Sequence, residues 1–139
     1  MPRQLTNTLL TAGLSALLGA AAVSAQDRTE IANIPFAFHA QQAALEAGTY
    51  RVMEQSAKGI FQLYGESGHS LFVSTHPVGN SDPNHPKLTF ACYGGQCVLA
   101  KISMPGSDVE WGPYQSSTEK NLSHELGVAA MVSIPLRVR

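Results

Sequence analysis

Residues 87–102 read Lys87-Leu-Thr-Phe-Ala-Cys-Tyr-Gly-Gly-Gln-Cys-Val-Leu-Ala-Lys-Ile102, and this stretch carries the strongest local structural signal after residue 25. Two strand-like runs flank Gly94-Gly95, a dipeptide that suits a two-residue primed turn because it tolerates positive φ. With that turn, Cys92 faces Cys97 at a non-hydrogen-bonded site, where opposed Cα atoms lie about 4.5 Å apart, at the short end of the disulfide range. The stretch therefore predicts a β-hairpin that carries a Cys92–Cys97 disulfide.

The two cysteines share one face of this hairpin with Phe90 and Leu99, so we expect that face to point into the core. The alternative is a pair of reduced, buried cysteines. Redox catalysis usually places two residues between its cysteines rather than four, and a zinc site would need two further ligands.

Residues 1–25 have the three-part pattern of a secretory signal peptide. Arg3 precedes an uncharged run rich in Leu and Ala, and Val23-Ser-Ala25 places small residues at the two positions that signal peptidase reads. The alternative is an uncleaved anchor, but the run is shorter than the roughly 20 apolar residues that span a bilayer. We expect cleavage after Ala25 and export of residues 26–139 to the periplasm or beyond, where thiols are oxidised.

Residues 26–139 are long enough for one domain and too short for two. Without Arg3 they carry eight basic and ten acidic residues, scattered without a run of one sign. Nucleic-acid binding is therefore not expected, because it needs a basic stripe that contacts phosphates. Residues 26–139 contain no second long apolar run, so no membrane span is predicted. They also contain no glycine-rich phosphate loop, so no nucleotide cofactor is predicted.

Period-2 alternation of apolar residues recurs along the chain and predicts strands. It is clearest in the C-terminal tail, where every second residue from Val128 to Val138 is apolar. About seven short strands with close turns favour an all-β, mainly antiparallel fold, either a small sandwich or a partly open barrel. The predicted strands are 31–38, 49–54, 60–64, 70–75, the two strands of the cysteine hairpin and the tail.

The remaining segments show helix, loop and edge signals. Ser116-Ser-Thr-Glu119 matches a capping box and predicts one short helix over about 117–126, ended by Gly127. Residues 41–46 are compatible with a helical turn or a loop, and residues 76–86 and 105–113 have the composition of loops. Pro35 and Pro135 favour edge positions for their strands.

Several segments resemble a known family when they are taken in order: Ile34-Pro-Phe-Ala-Phe38, Leu45-Glu-Ala-Gly-Thr-Tyr-Arg-Val52, Leu88-Thr-Phe-Ala-Cys-Tyr-Gly-Gly95, Val98-Leu-Ala-Lys-Ile102 and Tyr114-Gln-Ser-Ser-Thr-Glu119. Over residues 33–120 the order resembles a family of small exported bacterial proteins, mostly from soil lineages, that has no assigned activity. The chain differs in Glu46, where the family usually has Pro, in the cysteine pair and in the strand-like tail. The resemblance implies export and a β-fold, and it implies no catalytic residue.

Two groups of residues are candidates for binding. His76, Asp82 and His85 lie in the predicted 76–86 loop and have side chains that can ligate a divalent metal. Their spacing matches no known ligand pattern, so we expect no metal site. Trp111 and Tyr114 are close aromatics that either contact a sugar ring or an apolar ligand, or else cap one end of the core.

Catalytic patterns are weak. Gly65-Glu-Ser-Gly-His69 resembles a nucleophile elbow, but its second Gly comes one residue too early, so an ordinary turn is the better interpretation. We therefore expect a non-enzymatic exported β-domain that binds a partner or packs into the cell envelope. One alternative is a small hydrolase or a binder of carbohydrate or apolar ligands, with its site on residues 76–86 and 105–115. Another is a subunit of an extracellular assembly that pairs through its edge strands.

Overall fold

The computed structural model describes residues 29–138. The predicted signal peptide, residues 1–25, lies outside the described residues. The all-β class with one short helix is confirmed, and the described strands number eleven rather than about seven. The elements are β1 (Glu30–Ile34), β2 (Phe38–Ala40), β3 (Ala43–Leu45), β4 (Gly48–Glu54), β5 (Ile60–Gly65), β6 (Ser70–Asn80), β7 (Lys87–Tyr93), β8 (Gln96–Ser103), β9 (Val109–Pro113), α1 (Ser117–Leu126), β10 (Ala130–Pro135) and β11 (Arg137–Val138).

The strands form one mixed sheet that is not closed. Its order is β10-β7-β8-β9-β6-β5-β4-β1-β11, and β2 lies off this path, parallel to β8 and antiparallel to β3. The two end strands, β10 and β11, are successive segments of the C-terminal tail separated by Leu136 alone. No helix among residues 29–138 is long and apolar enough to cross a membrane.

The cysteine hairpin forms as predicted. Cys92 pairs with Cys97 across β7 and β8, their Cα atoms are 3.9 Å apart, and the disulfide is present. Gly94 has a φ of +62° while Gly95 has no positive φ, which is the pattern of a type II′ turn. The backbone therefore brings the two sulfur atoms together through local turn geometry.

Both faces of this hairpin are covered. Phe90 and Leu99 point into the main core, as predicted from their shared face with the cysteines. On the other face Ala91, Tyr93 and Val98 pack against Leu122 of α1. The hairpin is thus the layer between the main core and the helix, which is why its sequence is apolar at nearly every position.

The main core is built from side chains of β1, β2, β4, β5, β6, β7 and β8. Its largest fully buried aromatic side chains are Phe38, Phe61 and Phe90, and rings from β2, β4 and β7 make edge contacts with centroids 5.2–5.4 Å apart. Edge contacts of this kind are favourable for aromatic pairs because the positive edge of one ring meets the negative face of the other. The core also contains Ala32, Ile34, Tyr50, Val52, Leu63, Val73, Leu88, Leu99 and Ile102.

Helix α1 is confirmed within the predicted bounds. The Ser116 Oγ accepts a hydrogen bond from the Glu119 backbone N–H at 3.2 Å, which satisfies one of the free donors of the first turn. Gly127 follows the last turn with a φ of +79°, a conformation that glycine adopts without a Cβ clash.

The predicted strand 31–38 is wrong as one element. The chain leaves β1 at Ile34 and enters β2 at Phe38, and the two strands pair with different partners. Pro35 has no N–H to give to a ladder, so it marks the crossing between two parts of the sheet instead of sitting in an edge strand. Pro135, by contrast, ends β10, which is an end strand of the sheet.

The predicted loops are corrected in part. Residues 76–80 continue β6 and pair with β9, which itself occupies much of the segment predicted as the 105–113 loop. The pairing register shifts between Pro77 and Gly79, so a bulge accommodates the proline within the strand. Residues 81–86 connect β6 to β7. Residues 41–46 form a two-residue turn followed by β3 rather than a helical turn.

Candidate functional site

A groove opens in the sheet where β9 ends. Strand β9 pairs with β6 from end to end and with β8 at Glu110 and Trp111, and after Pro113 the chain leads to α1. The β2–β3 hairpin takes the next position beside β8, through the parallel pairing of β2. Within residues 29–138, β3 pairs only with β2, so no strand pairing connects β3 to β6. We call the resulting opening the β3–β6 groove; it is lined by residues 41–46, 69–71 and 114–116, together with Tyr50 and Ser67.

The groove has two connected sections that share Ala43 and Leu71. The section next to Tyr114 has a volume of about 520 Å³, and the section next to β4 has a volume of about 260 Å³. Leu45 and Leu71 are half-buried and pack against the main core, so they form an apolar floor. The rims carry Gln, Ser and Tyr side chains and, in the section next to β4, also Glu46 and His69, which leaves a shallow site with an apolar floor and polar edges.

The β6 side of the groove is an open strand edge. Thr75 donates its N–H to the Gly59 carbonyl and Gly65 donates its N–H to the His69 carbonyl, both at 2.8 Å. The backbone N–H and C=O groups of odd-numbered residues of β6 therefore point toward β5. Backbone groups alternate along an antiparallel strand, so even-numbered residues face the other way. The Ser74 carbonyl confirms this, because it accepts from the Tyr114 N–H at 3.4 Å.

Two residues of that edge lie beyond the end of β9. Ser70 and Phe72 direct their backbone N–H and C=O groups toward the groove by the same alternation. In the described part of the chain, no strand pairs with them there. The open edge is therefore a short row of backbone donors and acceptors.

The β3 side presents a second edge. Ala40 pairs with Ala43 and Phe38 with Leu45, so Ala44 between them directs its backbone groups away from β2. The Gln41 side chain donates from Nε2 to the Ser74 carbonyl at 3.3 Å, which links the hairpin turn to β6 at one end of the groove. The two edges are thus held beside each other without pairing.

The two predicted ligand-contact aromatics lie in different environments. Tyr114 is 57% exposed, lines the groove, and has its ring centroid 4.6 Å from the His76 ring. Trp111 is half-buried, packs against the main core, and meets the Phe61 ring edge-on at 6.3 Å. Only Tyr114 is therefore placed to contact a molecule in the groove.

The three candidate metal ligands do not come together. The His85 Nδ1 lies 2.7 Å from the Asp82 Oδ2 on the exposed connection after β6, whereas His76 contacts Tyr114. The Asn84 backbone N–H donates to Asp82 at 2.9 Å, and this bond, followed by the bond from His85, lowers the pKa of Asp82. Among the residues that the structure describes, no three His, Cys, Asp or Glu side chains form a group that could hold a metal.

The end of the groove next to β4 is acidic. Glu46 lines it, and Glu66 lines a further hollow of about 370 Å³ that continues from it. The Tyr50 hydroxyl donates to the Glu46 carbonyl oxygen at 2.6 Å. Burial, and then the negative charge of Glu46, raise the pKa of Tyr50. We call Glu46 and Glu66 the acidic end; neither is in an ion pair within residues 29–138.

Sequence patterns missed this groove because it depends on two strands that do not pair. Strand β3 is only Ala-Ala-Leu, and alanine is disfavoured in strands, so it gives no periodic signal. The one usable signal is Tyr114, whose position in a Gly-Pro-Tyr sequence indicated an aromatic near the surface.

Comparisons with protein-family models, curated proteins and solved structures found no match to this chain. The resemblance to a family of small exported bacterial proteins therefore stays a prediction.

Proposed function

We propose that this chain is an exported, non-enzymatic binding module and that its binding site is the β3–β6 groove. One observation carries the proposal: the groove is flanked by two strand edges whose backbone groups have no strand partner within residues 29–138. Open edges of this kind are normally protected in proteins, because they pair readily with other chains. An edge retained beside an apolar floor and an exposed tyrosine is typical of a recognition surface.

Export is supported by the signal-peptide pattern of residues 1–25 and is compatible with the Cys92–Cys97 disulfide, since disulfides persist in oxidising compartments. The test is the intact mass of the protein secreted by a bacterial host, before and after reduction and alkylation. We expect the mass of residues 26–139 less two hydrogens until reduction. A full-length mass with two freely alkylated thiols would contradict export.

Binding at the groove is tested by protein-observed NMR with separate pools of short peptides, oligosaccharides and fatty acids. We expect one pool to shift the amide signals of β3, of residues 70–72 and of Tyr114. Tyr114→Ala should weaken that binding, and Tyr64→Ala is the matched control because Tyr64 is another partly exposed tyrosine outside the groove lining. Shifts confined to other surfaces, or equal effects of the two variants, would remove the groove as the site.

The same screen separates the alternatives. Shifts from oligosaccharides or fatty acids centred on Tyr114 and His76 would favour a carbohydrate or apolar-ligand binder, because the exposed Tyr114 ring lies against the half-buried His76 ring. The hydrolase alternative on residues 76–86 and 105–115 predicts turnover of ester or glycoside substrates by the purified protein. The assembly alternative predicts a concentration-dependent mass in solution.

A further inference from the structure

The groove lies between two strand edges, and this arrangement specifies the shape of its occupant. The β6 edge offers the N–H and C=O groups of Ser70 and Phe72, and the β3 edge offers those of Ala44. A chain placed between them in extended conformation presents its own alternating N–H and C=O groups to both sides at strand spacing. Sugars and fatty acids have no such repeat.

The charge of the groove specifies one end of that occupant. Glu46 and Glu66 form the acidic end, and neither is in an ion pair among the described residues; the exposed side chain of His69 lines the same section as Glu46. The opposite end, around Gln41, Tyr114 and Gln115, carries no charged lining residue. An occupant is therefore favoured when it places a Lys or Arg at the acidic end and uncharged side chains at the other.

A second copy of this chain fits less well than a separate peptide. Self-pairing through the β6 edge would join only the short segment from Ser70 to Phe72, and a stable interface needs about 1,000 Å² or more of buried surface. A peptide segment that enters the groove pairs with two edges at once and also covers Leu45 and Leu71. The observations thus favour an inserted strand from a partner.

We propose that the β3–β6 groove binds an extended peptide segment of another protein, which inserts as a strand between β3 and β6 with a Lys or Arg at the acidic end. This rests on the proposed function and names the class of ligand and the way it binds. Strand addition of this type obtains affinity from backbone hydrogen bonds and specificity from alternate side chains.

The probe is a phage-displayed library of random dodecapeptides, selected against the protein with its disulfide intact. Enriched peptides are synthesised and their affinities are measured by calorimetry. We expect sequences of alternating small or apolar residues with Lys or Arg near one end. N-methylation of alternate residues of the peptide should abolish binding, because it removes all the donors that face one of the two strand edges and places methyl groups there.

Phe72→Pro tests the β6 edge directly. It removes a backbone N–H that faces the groove and leaves the β5–β6 ladder intact, because the ladder uses odd-numbered residues of β6. We expect peptide affinity to fall about tenfold, the value of one lost hydrogen bond. Phe72→Thr is the matched control: it also removes the exposed ring but keeps the N–H, so it should retain affinity. Near-UV circular dichroism verifies that both variants fold.

The acidic end is tested by the Glu46→Gln, Glu66→Gln double variant, which should weaken peptides with a terminal Lys or Arg by about threefold and leave neutral peptides unchanged. Peptides that bind but are indifferent to N-methylation and to Phe72→Pro would overturn strand insertion while the groove keeps its binding function. Failure to enrich any peptide, together with oligosaccharide or fatty-acid shifts in the NMR screen, would overturn the peptide ligand alone. Failure of both experiments would remove the proposed function as well.

Discussion

Gly65 has no side chain, so the ring of Tyr50 can pack directly over it at one end of the groove. The two residues pair across β4 and β5, and a Cβ on Gly65 would lie 2.9 Å from the Tyr50 Cε1. The ring cannot move away freely, because it is buried and its hydroxyl is bonded to the Glu46 carbonyl. A glycine in this strand thus reflects the close approach of a neighbouring ring.

We expect Gly65→Ala to lower the free energy of unfolding by about 1–3 kcal/mol, the usual cost of overpacking a filled site. Urea denaturation followed by tryptophan fluorescence measures it. The control is Gly95→Ala, because a Cβ there meets nothing within 4 Å, and its effect should stay within about 0.5 kcal/mol. Equal effects of the two substitutions would show that Tyr50 does not constrain Gly65.

Glu119 gives the fold a pH dependence with a defined sign. Burial raises the pKa of its carboxyl group, and burial together with Glu119 raises the pKa of Tyr93. Since the folded-state pKa of Glu119 lies above the unfolded value, the folded protein binds the proton more tightly. Stability from this group is therefore greatest below the unfolded pKa and falls as the pH rises through the folded pKa.

Glu119→Gln should accordingly be more stable than the natural protein at pH 7, and the difference should vanish below about pH 4, where the carboxyl is protonated in both states. Thermal unfolding at the two pH values measures the change. Glu125→Gln removes the same charge at an exposed position of α1 and serves as the control. A Glu119→Gln variant less stable at pH 7 would mean that the carboxylate stabilises the first turn of the helix more than burial destabilises it.

In the β7–β8 hairpin, the Cys92–Cys97 disulfide closes a loop of six residues. The chain-entropy argument assigns about 2 kcal/mol to a loop of this length. We expect reduction of the natural protein to lower its unfolding free energy by that amount, measured in urea with and without dithiothreitol. The Cys92→Ala, Cys97→Ala variant should show the lower stability in both buffers. A natural protein unaffected by complete reduction would contradict the argument.

The elements that sequence patterns predicted are those whose signals are local. The hairpin has its turn glycines and facing cysteines within a few residues, and α1 has Ser116 and Gly127 at its two ends. Strands β2, β3 and β9 were missed because they are short and depend on partners far along the chain. Strand β9 pairs with β6 through a bulge beside Pro77, a residue that by composition indicated a loop.

The candidate site was less predictable than the fold for the same reason. Tyr114 could be selected as an aromatic near the surface, but nothing near it in sequence indicates that it lies beside Leu71 and Ala43. Because Trp111 and Tyr114 are close in sequence, they were predicted to form one surface. The strand places them in different environments, because Trp111 packs toward the core and Tyr114 follows the end of β9.

Over residues 29–138 the sheet has a gap between β3 and β6 and another between its two end strands, and the chain bridges the second gap. The groove separates β3 from β6, whereas the ends of the sheet path, β10 and β11, are joined through Leu136. Leu136 is buried in the main core, and its N–H donates to the Pro86 carbonyl at 3.0 Å. This residue therefore holds the tail where it passes from β7 to β1.

We expect Leu136→Ala to lower the free energy of unfolding by about 2–5 kcal/mol, because it removes a buried side chain at a place where two strands meet. Amide exchange should accelerate at both Ile31 and Ile134, since Ile31 of β1 pairs with β11 and Ile134 belongs to β10, the half of the tail that pairs with β7. Val138→Ala, at a position 78% exposed, is the control and should change stability by less than about 0.5 kcal/mol. Faster exchange in β10 alone would mean that β1 retains its structure without the tail, and that the two ends of the sheet are independent.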